Sequence, residues 1–172
     1  KTLSHLTETG AATMVDVSAK TATTRRALAE GYLLMAPATR EALRTHSGPK
    51  GEALSVARIA GILAAKSTAS LIPLCHPLPL DQVTVDFDLA PAAPPGTPNA
   101  EMSAVRILAS ATITAKTGIE MEALTAVALA ALTLIDMLKA IDPAMIITGI
   151  RLLEKTGGKS NYKAAHHPHP AP

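Results

Sequence analysis

The 172 residues suit one domain, and 48% apolar against 17% charged residues is a folding composition that excludes wholesale disorder. Sixteen Lys and Arg against fourteen Asp and Glu leave a net charge of +2, too weak a field for a general nucleic-acid or membrane-surface binder. Tyr32, Phe87 and Tyr162 are the only aromatics, which removes a base-stacking platform, and the single cysteine, Cys75, allows no internal disulfide and points to a reducing, cytoplasmic setting.

The opening Lys1-Thr2-Leu3-Ser4-His5 lacks the apolar core of a signal peptide. Residues 27–35, a short apolar and small run after polar 21–26, predict a strand. Pro37 suits the first turn of a helix over 38–45, which Ser47-Gly48-Pro49 breaks. A longer helix is expected over 50–68, with Ala53, Ala57, Gly61 and Ala64 forming a stripe that permits close backbone packing. Three prolines between Pro73 and Pro79 forbid regular structure around Cys75-His76. Val83, Val85, Phe87 and Leu89 alternate with polar residues and predict a strand with one dry face. Residues 91–99 read as a mobile turn. The span 101–115 returns as a strand, with Val105, Ile107, Ala109, Ala111 and Ile113 on one face.

Residues 120–141 carry the strongest helix pattern, ended by Pro143. Its uncharged apolar run, 123–135, falls short of the about 20 residues of a bilayer span and reads as a core helix. A last strand is expected over 145–154, closed by the loop 156–160. The tail 164–172 is low-complexity and expected to be disordered, leaving one domain over 1–163. This order predicts an α+β, ferredoxin-like β-α-β-β-α-β sandwich with an extra helix in the first crossover and an antiparallel sheet with helices on one face.

Three features could carry chemistry. Asp136 and Lys139, three apart on the long helix, read either as a surface ion pair or, on a helix this apolar, as a buried pair suited to acid–base work. Glu122 lies on the same side of the helix but about 21 Å away at 1.5 Å per residue, so it is structural or the sites are assembled from more than one subunit. Cys75-His76 on a proline-locked backbone offers a rigid mount for an imidazole, against the alternative of a buried Cys beside a hydrogen-bonded His. No spaced ligand pair favours a metal.

The third feature is Gly157-Gly158-Lys159-Ser160 after Lys155. It imitates a nucleotide-binding P-loop without the first glycine or a following helix, and leaves a flexible anion-holding loop. Arg25, Arg26, Lys50, Arg58, Lys66 and Arg151 add cations near element ends, or simply solvated charges. An RNA-recognition module shares the strand order but needs aromatics that residues 105–113 lack. A non-catalytic regulatory domain and an inactive paralogue are the remaining rivals.

Together these stretches resemble the molybdenum cofactor biosynthesis protein C family, the cyclic pyranopterin monophosphate synthases. The motifs are Met14-Val15-Asp16-Val17-Ser18, Lys50-Gly51, Ala57-Arg58-Ile59-Ala60-Gly61-Ile62, Leu74-Cys75-His76-Pro77-Leu78, Lys116-Thr117-Gly118, Glu120-Met121-Glu122-Ala123-Leu124, Asp136-Met137-Leu138-Lys139 and Gly157-Gly158-Lys159-Ser160. The resemblance implies a lyase that converts 3′,8-cyclo-7,8-dihydroguanosine 5′-triphosphate to cyclic pyranopterin monophosphate with release of diphosphate. It implies a homo-hexamer, a trimer of dimers with sites at dimer interfaces, no required cofactor, and Mg²⁺ at most accompanying the triphosphate.

Carried over residue by residue, it makes Asp136, Lys139, Lys50 and His76 catalytic. Arg25, Cys75, Glu120, Met121, Glu122, Lys155 and Lys159 become substrate-binding, Arg25 and Lys155 toward the triphosphate. Arg26, Glu52, Ser67 and Asn161 depart from the family pattern and touch only the anchoring detail.

Overall fold

A computed structural model describes residues 9–91, 97 and 101–165. The expected turn at 91–99 and tail at 164–172 fall largely outside them. The elements are β1 (Thr23–Met35), α1 (Pro37–Arg44), α2 (Ala53–Lys66), α3 (Thr68–Leu71), β2 (Gln82–Asp88), β3 (Ser103–Ala115), α4 (Glu120–Leu138), β4 (Ile146–Thr156) and β5 (Tyr162–Lys163). The sheet order is β2-β3-β1-β4-β5 with every pairing antiparallel. That is the ferredoxin-like arrangement expected, extended by a fifth strand.

Several boundaries differ from the sequence reading, α4 among them, which ends at Leu138 rather than at residue 141; four differences have a clear local reason. β1 starts at Thr23, because polar 23–26 continue the ladder with β3 up to Thr23–Ala115. α2 starts only at Ala53, since Gly51 holds φ at +81°, outside helical space. α2 and α3 are separate: Thr68 begins a new turn while its hydroxyl donates back to the Ala64 and Ala65 carbonyls. β5 exists only through its pairing with Glu154 and Lys155.

Alternation along the central strands sets the core. Ala27, Ala29, Leu33 and Met35 of β1 and Val105, Ile107, Ala109, Ala111 and Ile113 of β3 are buried against the helix layer. α4 answers with Ala123, Ala126, Val127, Ala130 and Leu134. Although α4 is long and apolar enough to pass for a membrane span, that buried stripe makes it a core helix. α2 lies beside it, its small stripe turned inward. A Cβ on Gly61 would stand 2.9 Å from the Ala126 carbonyl oxygen and 3.3 Å from the Ala130 Cβ, so the glycine is what lets the helices approach.

On the opposite sheet face Glu30 is 1% exposed. Arg106 and Arg151 donate to its two carboxylate oxygens at 2.6–2.7 Å, stapling β1 to both neighbours.

Candidate active site

The two ends of α4 carry the predicted residues, and each end is built differently. At its start, Glu120 and Glu122 occupy the first turn, where the helix dipole favours acids. Lys155, carried by β4, donates to Glu120 Oε1 at 2.8 Å. Burial resists the charge on Glu120, but the Lys155 hydrogen bond and the charges of Lys155 and Arg25 outweigh it and hold the carboxyl below its ordinary range. Arg25 donates Nε to the Ala115 carbonyl at 2.9 Å, which leaves its terminal nitrogens for an anion.

The glycine pair after β4 shapes this wall. Gly157 and Gly158 have φ of +84° and +76°. A Cβ on Gly157 would run into the Thr24 carbonyl oxygen, and one on Gly158 would stand 2.6 Å from Arg25 Nη1. The loop therefore folds against β1 and the guanidinium as only glycines can. The result is a cavity of about 200 Å³ ringed by Lys20, Arg25, Arg26, Lys116, Lys155 and Lys159, with Glu120 the one acid among the described residues. Six cations around one acid give the cavity a strongly positive field.

A second cleft of about 290 Å³ adjoins it, sharing Lys20 and Glu120 and lined by Cys75, His76, Met121 and Glu122. His76 Nε2 lies 2.9 Å from the Val15 carbonyl. A carbonyl only accepts, so Nε2 carries the proton, and in the neutral ring Nδ1 holds the lone pair. Glu122 is 3% exposed. Burial, with the charge of Glu120 behind it, pushes its carboxyl above the ordinary carboxylate range. Burial also raises the Cys75 thiol, with a further push from Glu122. The cleft thus sets an acid whose charged form is disfavoured by burial in the same space as an imidazole with a defined proton.

At the other end of α4, Asp136 accepts from Lys139 through Oδ1 at 2.7 Å and from Lys50 through Oδ2 at 2.8 Å. Lys50 stands in a turn closed by the Gly51 N–H on the Gly48 carbonyl. The buried setting considered for this pair does not hold. The three side chains are 44–59% exposed, because the last turn of α4 directs Leu134 and Leu138 inward and this face out. The hydrogen bonds from Lys139 and Lys50, with their charges, hold the Asp136 carboxyl at about 2.

The predicted residues therefore form two clusters. Arg25, Cys75, His76, Glu120, Met121, Glu122, Lys155 and Lys159 gather around the start of α4; Lys50, Asp136 and Lys139 gather at its end. Sixteen helical positions separate Glu120 from Asp136, about 24 Å along the axis. One chain does not bring the clusters together.

Lys20 and Lys116 were missed as cavity residues. Lys116 opens the Lys116-Thr117-Gly118 motif of the family resemblance, and that was a usable signal; Lys20 lies on irregular backbone and offered none. Arg58 and Arg151 are engaged elsewhere, the first with the Val85 carbonyl and the Phe87 ring, the second with Glu30.

The sequence profile described as the MoaC family matches residues 14–158. A cyclic pyranopterin monophosphate synthase of Streptomyces avermitilis is 52% identical over 158 residues, covering 92% of this chain and 86% of its own. One from a Nostoc species is also 52% identical, covering 92% and 89%. One from a Methylobacterium species is 52% identical over 163 residues, covering 95% and 96%.

Proposed function

This chain belongs to the MoaC family, and from that premise we propose that it acts as a cyclic pyranopterin monophosphate synthase, a lyase of molybdenum cofactor biosynthesis. Its substrate is 3′,8-cyclo-7,8-dihydroguanosine 5′-triphosphate, and its products are cyclic pyranopterin monophosphate and diphosphate. The observation that carries this reading is the continuity of the six-cation cavity with the cleft of Glu122, His76 and Cys75. A triphosphate lies in the first while the purine-derived ring lies in the second, in reach of Met121 and the two glutamates.

Closing the cyclic phosphate requires a sugar hydroxyl to attack the α-phosphorus as diphosphate leaves. Fixed cations at Arg25, Lys155 and Lys159 stabilise charge on the leaving oxygens, and Lys20, Arg26 and Lys116 extend the cradle. Proton transfers during ring formation fall to Asp136 and Lys139 with Lys50, and to His76. This redox-neutral chemistry calls for no resident cofactor, and Mg²⁺ enters, where it takes part, with the triphosphate.

The 24 Å between the clusters supports sites shared between chains. Val56, Ile59 and Leu63 form an exposed apolar stripe on α2, and Leu132 on α4, in the same helix layer, is exposed as well. A second copy laid antiparallel on this layer brings its Asp136 end to the first copy's Glu122 end. The assembly is a trimer of such dimers, acting in the cytoplasm without nucleic-acid or membrane partners.

Incubation with the cyclic triphosphate and assay of diphosphate tests the reading. The wild type is expected to release diphosphate, and Asp136→Asn to be slower by a factor of about 10² to 10⁴. No release from the folded, assembled wild type would sink it.

A further inference from the structure

The stretch from Val15 to Lys20 belongs to no helix or strand, yet it lines the cleft beside Cys75 and His76 and ends in the cation cavity. Its course is set by a local turn. Asp16 Oδ1 accepts the Ser18 N–H at 2.8 Å, and the Lys20 N–H donates to the Val17 carbonyl at 3.1 Å. Two side chains tie the stretch to the body: His76 Nε2 donates to the Val15 carbonyl at 2.9 Å, and Lys116 Nζ to the Ser18 carbonyl at 2.7 Å.

The Asp16 turn lies between those two carbonyls and fixes their spacing and orientation. The Ser18 backbone and hydroxyl hydrogen bonds, with the charges of Lys116 and Lys20, hold the Asp16 carboxyl below its ordinary range. The charged form that closes the turn thus prevails at neutral pH.

We infer that Asp16 is a positioning residue for His76: its turn holds the Val15 carbonyl against the ring, keeping the proton on Nε2 and leaving Nδ1 as the one basic nitrogen. The same turn delivers Lys20 to the cation cavity. A ring free to exchange tautomers would offer the wrong nitrogen to a substrate part of the time. This inference rests on the proposed role of His76 in proton transfer, but its primary readout does not require substrate.

The full chain, labelled with ¹⁵N-histidine and free of substrate, is compared with Asp16→Ala and Asp16→Asn, His76 being assigned with His76→Gln. Asp16 is exposed and outside the sheet, so the two Asp16 variants keep the core. In the wild type we expect His76 to show one tautomer, with a slowly exchanging proton on Nε2. Asp16→Ala loses that protected proton, while Asp16→Asn, which keeps an acceptor for the Ser18 N–H, retains it.

In turnover, Asp16→Ala lowers kcat about tenfold and raises KM, and Asp16→Asn stays within about twofold of wild type on both. A proton on Nδ1 in the wild type, an unchanged Nε2 signal in Asp16→Ala, or an Asn variant as impaired as the Ala variant would each overturn the inference. A wild type that fails to release diphosphate while the spectra behave as expected counts against the proposed function and not against the positioning.

Discussion

Glu122 and Asp136 are both acids on one helix, and their surroundings push them in opposite directions. Burial raises Glu122, whereas Lys139 and Lys50 hold Asp136 at about 2. The acid limb of the pH profile of kcat/KM should therefore follow Glu122, above the ordinary glutamate value of about 4.3, and not Asp136. Stability carries the same signature. Below the unfolded-state value Glu122 is protonated in both states. As pH rises toward the folded value the unfolded chain loses its proton first, so stability falls across that window and stays lowered above it. Glu122→Gln removes the decline: melting followed by circular dichroism at pH 8 should show a higher Tm than wild type, while diphosphate release drops. Equal Tm values at pH 8 would mean that burial of this carboxylate is not costly.

Glycines at two element contacts carry opposite kinds of consequence. Gly61 sets the distance between α2 and α4, and Leu at that position forces side-chain atoms toward the Ala126 carbonyl and Ala130. Urea unfolding of Gly61→Leu should show a loss of about 1–3 kcal/mol, the usual cost of overpacking. Gly158→Ala instead presses on the Arg25 guanidinium. Because Arg25 is placed both to hold the triphosphate and to stabilise charge on the leaving oxygens, KM should rise and kcat should fall, each by about tenfold.

At this scale the sequence was informative wherever burial contrast was strong. The alternation of Val83, Val85 and Phe87, the apolar face of β3 and the start and apolar stretch of α4 all showed directly, while its end was placed three residues too late. The first residues of β1 were hidden because Thr23 to Arg26 are polar and lean only on the ladder, and β5 because two residues have no period. The Asp136–Lys139 pair was visible from its spacing, and its exposure was one of two readings that the sequence left open. An apolar helix reads as buried throughout, while its final turn projects one face into solvent.

For the whole molecule, the separated clusters make a prediction that no single-site defect can imitate. Asp136→Asn disables one half of each shared site and His76→Ala the other. Unfolded together, mixed in equal amounts and refolded, they should regain about one quarter of wild-type activity. Half of the dimers are then mixed, and one of the two sites in each mixed dimer is intact. No recovery from a mixture whose mass confirms mixed assemblies would mean that each site is completed within one chain. Lys20 shows why such a site is only partly legible beforehand: it reaches the cavity through an irregular stretch whose course depends on a turn and two tertiary bonds.

β1 is the central strand and the first one made, but neither of its partners is nearby in the chain. β3 and β4 follow far downstream, and the end of β4 at Thr156 comes about 120 residues after β1 is complete. At 5–20 residues per second a ribosome takes roughly 6–24 s to supply it. The β4-facing edge of β1 has no native cover throughout that interval, and the β3-facing edge and the face of Ala27, Ala29, Leu33 and Met35 stay bare until β3 and α4 are made, a natural target for a holding chaperone on the nascent chain.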